Sequence, residues 1–479
     1  MEFRTPGQDK SFEDFRAHWE RIAPDLGVDE ALAGADGPMG APLTVGGREI
    51  GNRYAIHPME GWDGTKSGLP TEDTLRRWRR FGESGAKLIW GGEAFAVQAD
   101  ARANPHQLFL NDEVDVEAGL AELLITLQEA HAESGASTRD LYVGLQLTHS
   151  GRWSRPTAAG PAPRVAYRHP VLDARAGVTS DAAVLSDDEL RGIQERFVGA
   201  AQLAQKTGYD FVDVKCCHGY LLHELLGAKT REGAYGGSFE NRTRFFRETV
   251  AAVREACPGL AIGVRVSIAD VHPFSPGAER RGEPRGWDEH LPYRYGFGVD
   301  EADPRDFDLA ESFAFLGLLE ELGIELVNLT LGSPYYNPHL QRPAAYPPSD
   351  GYQPPTDPLE QVAAHLRVTR ACKAAFPGLA FVGTGYTYLQ EWLPNVAQHE
   401  VANGHVDFVG LGRMVLSYPE LPRDVLSGAK LQRKLVCRTF SDCTTGPRNG
   451  LKSGCYPLDE HYRRRDDAAR LKEIKEGLR

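Results

Sequence analysis

The chain has 479 residues, of which 41% are hydrophobic and 25% charged, the composition of an ordinary soluble globule. Its formal net charge of −13 argues against a protein that binds nucleic acid by neutralising phosphates. No apolar run is long enough to span a membrane and the polar N-terminus has no signal-peptide core. Seven cysteines, an odd number with Cys216 and Cys217 adjacent, suit a reducing cytoplasm better than a disulfide framework.

In chain order, residues 11–24 read as an amphipathic helix with Phe12, Phe15, Trp19 and Ile22 on one face. The Gly/Ala-rich stretch 31–40 reads as a loop, and residues 42–50, broken by Gly46-Gly47, as a hairpin. Strand and helix patterns then alternate. Strands are expected at 54–56, 87–90, 141–147, 211–214, 261–266, 325–329, 379–383 and 406–410. Helices are expected near 72–84, 114–134, 186–206 with Ser186 as N-cap, 239–256 and 308–322. Eight such units imply a (β/α)8 barrel, an α/β fold. An open doubly wound sheet would need a dinucleotide fingerprint, and Gly383-Thr384-Gly385 lacks the third glycine. Long insertions at 153–180, 271–305 and 332–357 fall on the side where barrels keep their active sites. They are expected to shape a pocket, with an oligomer contact as the alternative.

Residues 209–244 carry the clearest chemistry. The run Phe211-Val212-Asp213-Val214 reads as a buried parallel strand, and Lys215, His218 and Tyr220 stand just past its end. All three can move protons or donate hydrogen bonds. A polar loop with a turn at Tyr235-Gly236-Gly237-Ser238 follows, and Asn241, Arg242 and Arg244 open a helix. The composite of residues 218–226 (HGYLLHELL) and 235–242 (YGGSFENR) resembles the old yellow enzyme family of flavin mononucleotide (FMN) barrels. The likeness is to the branch that includes 2,4-dienoyl-CoA reductase and trimethylamine dehydrogenase, and it covers roughly residues 40 to 430.

The resemblance implies an FMN-dependent oxidoreductase that reduces an activated C=C bond with NADH or NADPH by a ping-pong route. A flavin-dependent amine dehydrogenase or demethylase is the alternative, and a non-catalytic flavin-binding subunit a further one. The domain division expected is 1–40 (helix and loop), 41–430 (FMN barrel with its hairpin cap) and 431–479 (a Cys-containing helical extension). The partner expected is a small-molecule substrate, with neither nucleic acid nor membrane, in the cytoplasm; a homo-oligomer is left open.

Phosphate is expected at Gly383, Gly385 and Tyr386 with Gly412 and Arg413, because glycines after the last two strands let backbone N–H groups approach an anion. Gly412-Arg413 also resembles the family's phosphate-binding pair. By resemblance, Gln146 meets the flavin pyrimidine, Arg265 faces N1, the Pro58-Met59 backbone lies along the flavin and Ala94 leaves it room. A buried arginine needs an anionic partner, and a reduced flavin supplies one; a salt bridge to a barrel carboxylate is the plainer reading. Lys215 and His218 stand where relatives place a carbonyl-binding pair, and Tyr220 where they keep a proton donor. Lys215 departs from the usual ring donor. Glu60 departs from the Cys or Thr that often follows Pro-Met; it is expected beside the flavin, paired with Lys215, or else turned away toward Arg53. Cys437, Cys443 and Cys455 match three of the four thiolates that hold a [4Fe–4S] cluster in relatives, but no cysteine stands near Phe440. The expected reading is therefore a vestigial cluster region and no bound metal, with a zinc site a weaker alternative.

Overall fold

The computed structural model describes residues 3–477. The hairpin β1 (Leu43–Val45) and β2 (Arg48–Ile50) is antiparallel, with Leu43 opposite Ile50. Eight parallel strands follow and close into a barrel: β3 (Tyr54–Ile56), β4 (Leu88–Ile89), β6 (Tyr142–Thr148), β7 (Phe211–Val214), β8 (Ala261–Ala269), β11 (Leu326–Leu331), β12 (Ala380–Gly383) and β13 (Phe408–Leu411). Closure comes from β13 against β3 and from β4 against both β3 and β6. The short β5 (Ala94–Ala96) runs beside the upper half of β6, with Ala94 opposite Gln146. β9 (Ser275–Pro276) and β10 (Gly282–Glu283) form a small antiparallel pair inside the 271–305 insertion.

Local chemistry sets the helix starts. Ser186 accepts from the Glu189 backbone N–H and Glu189 reaches back to Ser186 N, a reciprocal cap on helix Asp187–Thr207. Ser238 caps helix Phe239–Ala256 in the same sense, accepting from Asn241 N. The barrel floor is an apolar cluster of Ala55, Leu88, Tyr142, Phe211, Leu326 and Phe408, and Val45 and Ile50 of the hairpin belong to it. The hairpin thus seals the lower end, and the polar, reactive positions are left at the upper end.

Two elements differ from the sequence expectation. Residues Leu221–Leu226, expected as part of a polar loop, form a short helix with every side chain buried. The helical extension expected at 431–479 is broken into short pieces, ending in Glu460–Arg463 and Asp466–Gly477, with residues 478–479 outside the described region. The tail has its own small core of Leu451, Tyr456, Tyr462 and Leu471. It is tied to helix Glu72–Glu83 by Arg76, which donates twice to Asp459 at 2.9 Å, and by Lys452, His461 and Arg465 around Asp73. Among the described residues no helix is long and apolar enough to cross a membrane.

Candidate active site

A cavity of about 800 Å³ opens over the upper ends of the barrel strands. Its wall includes Pro58, Met59, Glu60, Ala94, Gln146, Lys215, His218, Tyr220, Arg265, Gly385, Gly412 and Arg413. Residues far apart in sequence are gathered there because each lies in the upper part of a strand or just past its end. Gly383 and Tyr386 lie off the wall. A Cβ at Gly383 would sit 3.1 Å from the Tyr386 hydroxyl, and Tyr386 is buried within the apolar core. Of the three long insertions, 153–180 and 332–357 supply wall residues, among them Trp153, Arg175, Tyr335 and Arg342; 271–305 supplies none. The tail supplies Cys443, Thr444 and Arg448, so a segment beyond the barrel roofs the cavity.

Asp213 organises the wall that holds Gln146 and Arg265. Its buried carboxylate accepts from Gln146 Nε2 at 2.6 Å, Trp90 Nε1 at 2.7 Å and Arg265 N at 2.7 Å. The carboxylate can only accept, so it fixes the Gln146 amide with nitrogen toward Asp213 and leaves Oε1 free as an acceptor. Burial pushes the Asp213 carboxyl up, and the three donors oppose that rise. The Arg265 guanidinium makes no hydrogen bond or salt bridge to a described residue, and its Nε is buried without a partner. The salt bridge that the plainer reading required is absent among the described residues. Burial pulls Arg265 below the ordinary arginine range, with the Asp213 charge acting against it.

His57 forms a second fixed node. Thr384 Oγ1 donates to Leu329 O at 2.6 Å, so its contact with His57 Nε2 at 3.0 Å requires that nitrogen to carry the proton. Asn328 Nδ2 then donates to His57 Nδ1 at 3.0 Å. The ring is neutral, in line with a burial-driven fall well below the usual histidine range. Gly410 is the cost of this placement: a Cβ there would lie 2.1 Å from the imidazole.

The proton-bearing group stands opposite. Lys215 Nζ lies 3.9 Å from the centre of the Tyr220 ring and is held below the usual lysine range chiefly by burial. His218 sits at φ 69°, its backbone N donating to Ser267 Oγ at 2.9 Å while its carbonyl accepts from Ser333 Oγ at 2.7 Å. Its ring meets the Gln341 amide and is neutral, since burial and then Arg265 and Lys215 pull it well down. The Tyr220 hydroxyl is hydrogen-bonded to Glu60 and lies 2.9 Å from the Tyr335 hydroxyl. Tyr335 is stacked on Trp153 at 4.6 Å. Glu60 is thus paired with Tyr220. It is joined neither to Lys215 in a salt bridge nor to Arg53, whose guanidinium is taken by the carbonyls of Ala41, Pro42 and Asp407.

At the far end of the cavity, Arg413 donates to Pro343 O at 2.8 Å and leaves Nη1 buried and unpartnered. Arg342 donates to Thr444 Oγ1 at 2.6 Å and leaves Nη2 in the same state. Burial and the neighbouring Arg448 and Arg413 charges pull Arg342 down to about 9. Unneutralised, mutually repelling guanidinium groups beside Gly385 and an open Cβ position at Gly412 make a cradle for a multivalent anion. Of the three tail cysteines, Cys443 reaches the wall; Cys437 and Cys455 lie behind it with thiols pushed up by burial. Phe440 packs its ring against Tyr346 at 5.5 Å where a fourth ligand would be needed. Among the described residues no three His, Cys, Asp or Glu side chains are grouped to hold a metal ion.

Asp213 was legible as an acid inside an apolar strand, but its role was missed. His57, Asn328 and Thr384 gave no separate signal. Arg342 and Arg448 come from a loop and the tail, and nothing in their local sequence marks them.

The fold and wall define a (β/α)8 barrel with an anion cradle and an unsatisfied buried cation over its upper mouth. Residues 38–278 match the model of the NADH:flavin oxidoreductase / NADH oxidase family, and the chain belongs to that family. Its cofactor is FMN, with NADH or NADPH as reductant. The chain is 26% identical over 392 residues to an NADPH dehydrogenase of Geobacillus thermodenitrificans, covering 80% of this chain and 92% of that one. In fold it is similar to morphinone reductase (TM-score 0.54, 23% identity, 82% and 90% covered). It is similar also to histamine dehydrogenase from Rhizobium sp. 4-9 (TM-score 0.59, 20% identity), where it spans 88% of this chain and 52% of that one.

Proposed function

We propose that the protein reduces a C=C bond conjugated to a carbonyl, taking electrons from NAD(P)H in one half-reaction and passing them to the substrate in the next. The cavity residues fit FMN. Its phosphate would rest on Gly385, Gly412, Arg413 and Arg342, where two guanidinium nitrogens lack partners. Its pyrimidine edge would meet Gln146, Arg265 would face the locus that becomes anionic on reduction, and Pro58, Met59 and Ala94 would border the ring. FMN supplies a hydride acceptor and donor in this site.

The observation that carries the reading is the grouping of Lys215, His218 and Tyr220 with the unpartnered Arg265 of the neighbouring strand in one cavity. Lys215 and His218 bind and polarise the substrate oxygen. Electron withdrawal toward that oxygen makes the β-carbon accept hydride. Tyr220 holds a proton at Oη for the α-carbon. Trp153 and Tyr335 stack to form an apolar side wall that excludes water from the reacting face. The Phe440–Tyr346 contact, where a fourth thiolate would stand, supports a tail without an iron–sulfur cluster.

The test is anaerobic stopped-flow spectroscopy with iron and acid-labile sulfide assayed on the same sample. NADPH or NADH should bleach a plain flavin spectrum, and a conjugated enone should restore it with formation of the saturated ketone. A protein that is bleached by nicotinamide but not reoxidised by any of a panel of cyclic and acyclic enones refutes the reading. Stoichiometric iron and sulfide refutes the cluster-free tail.

A further inference from the structure

We propose that Glu60 governs the proton on Tyr220: the carboxyl recharges the phenol through their direct hydrogen bond and sets whether the phenol's proton is available to substrate. This rests on the reading that Tyr220 protonates the α-carbon. An ionised Glu60 can only accept, so the Tyr220 O–H points at Glu60 and away from substrate, and Tyr335 O–H donates to Tyr220 Oη. A protonated Glu60 reverses the bond. Its own O–H donates to Tyr220 Oη and the phenol O–H is released toward the cavity.

The geometry isolates this pair. Glu60 follows β3 and Tyr220 follows β7, so the contact bridges the barrel mouth. The groups that face Glu60 are Tyr220, Tyr335 and Lys215 from the barrel and its loops, Arg448 from the tail, and the Asn104 amide, 3.4 Å from Oε1. Glu60 is half-buried on the cavity wall while Tyr220 is shut off from solvent. The carboxyl is therefore the group through which water can recharge the phenol. In one turnover the β-carbon gains hydride and the α-carbon gains the Tyr220 proton. The tyrosinate then takes the Glu60 proton, and Glu60 takes one from solvent, so atoms and charge balance. Glu60 never touches substrate; it is a positioning residue acting through Tyr220.

The experiment compares wild type, Glu60→Gln, Glu60→Asp, Tyr220→Phe and the Glu60→Gln/Tyr220→Phe double variant as FMN holoenzymes. Enone reduction and ferricyanide reduction are measured in H2O and in D2O; ferricyanide takes electrons without a proton at carbon and so reports any change at the flavin itself. Glu60→Gln should lose about 10-fold or more in enone kcat relative to ferricyanide kcat, with enone kcat affected more than KM and a raised solvent isotope effect on enone turnover. Glu60→Asp, which keeps a carboxyl, should recover most of that loss. The double variant should be no slower than Tyr220→Phe, because one pathway has been cut twice. A Glu60→Gln enzyme that keeps the enone rate relative to ferricyanide, or a double variant in which the two losses multiply, overturns the relay and leaves the ene-reductase reading standing. Wild type that turns over ferricyanide but no enone overturns the ene-reductase reading, and the relay with it. Should Glu60→Gln fail to fold with FMN, Glu60→Asp decides: an enone rate as low as that of Tyr220→Phe overturns the proposal.

Discussion

Replacing Arg265 with methionine removes a buried cation of the barrel interior that no carboxylate of the described residues neutralises. Arg265 is 3% exposed, its Nε has no partner, and Asp213 is already engaged by Gln146, Trp90 and the Arg265 backbone. An uncompensated buried charge costs several kcal/mol. The open cavity lets water reach part of the guanidinium, so we take a smaller figure of about 2 kcal/mol. That energy is spent in the apoprotein and returned when an anionic ligand arrives. The Arg265→Met apoprotein should therefore be more stable than wild-type apoprotein by about 2 kcal/mol, a rise of a few degrees in Tm. Its affinity for reduced FMN, whose N1 locus carries the charge, should fall by about 30-fold, since 1.4 kcal/mol is a factor of ten. The flavin potential should drop accordingly, because the reduced anion loses its counter-charge. Thermal melts of the apoprotein read the first effect, and a redox titration of the bound flavin with an oxidised-FMN fluorescence titration reads the other two. An apoprotein that is destabilised, together with an unchanged flavin potential, would show that Arg265 is a structural residue and refute the reasoning.

Three further outcomes are expected. Gly410→Ala should cost about 1–3 kcal/mol and impair FMN binding, because the new Cβ evicts His57 from its contacts with Asn328 and Thr384; a melt shows it. Arg342→Met should weaken FMN binding by about 10-fold or more, the loss of a charge-assisted contact, while leaving riboflavin affinity unchanged because riboflavin lacks the phosphate. Asp270 is buried and accepts from Tyr336 Oη at 2.6 Å and from Asn337 and Val271; burial pushes its carboxyl up to about 6. A carboxyl raised in the folded state binds protons that the unfolded chain releases. Its stabilisation is full below about pH 4 and is lost as pH rises to about 6, up to about 3 kcal/mol. Urea melts across that range should show this fall, and Asp270→Asn should remove its share.

The barrel could be read from the chain because each strand is a short apolar run followed by a helix whose start is marked by its own cap. Ser186 with Glu189, and Ser238, are local chemistry, and the structure uses them at those positions. The hairpin at 43–50 was legible for the same reason: two glycines and alternating polarity specify it without distant partners. Most of the strand-end site was legible too, since in a parallel barrel every residue just past a strand faces one mouth. The sequence misled at Leu221–Leu226, where an apolar run between reactive residues becomes a helix only because neighbouring elements bury all six side chains.

What the chain by itself determined was periodicity, turn chemistry and which reactive residues follow which strand. Tertiary structure alone decided which charges meet. Glu60 bonds to Tyr220 and not to Lys215, because β3 and β7 bring the carboxylate to the phenol across the mouth. Arg342, from a loop, and Arg448, from the tail, share a wall with Arg413 because long connections fold back over the barrel, and no local rule fixes where such segments land. Hydrogen-bond direction and unmet charge depend on distances between elements far apart in sequence, so Asp213, His57 and the unpartnered Arg265 acquire their roles only when the barrel closes.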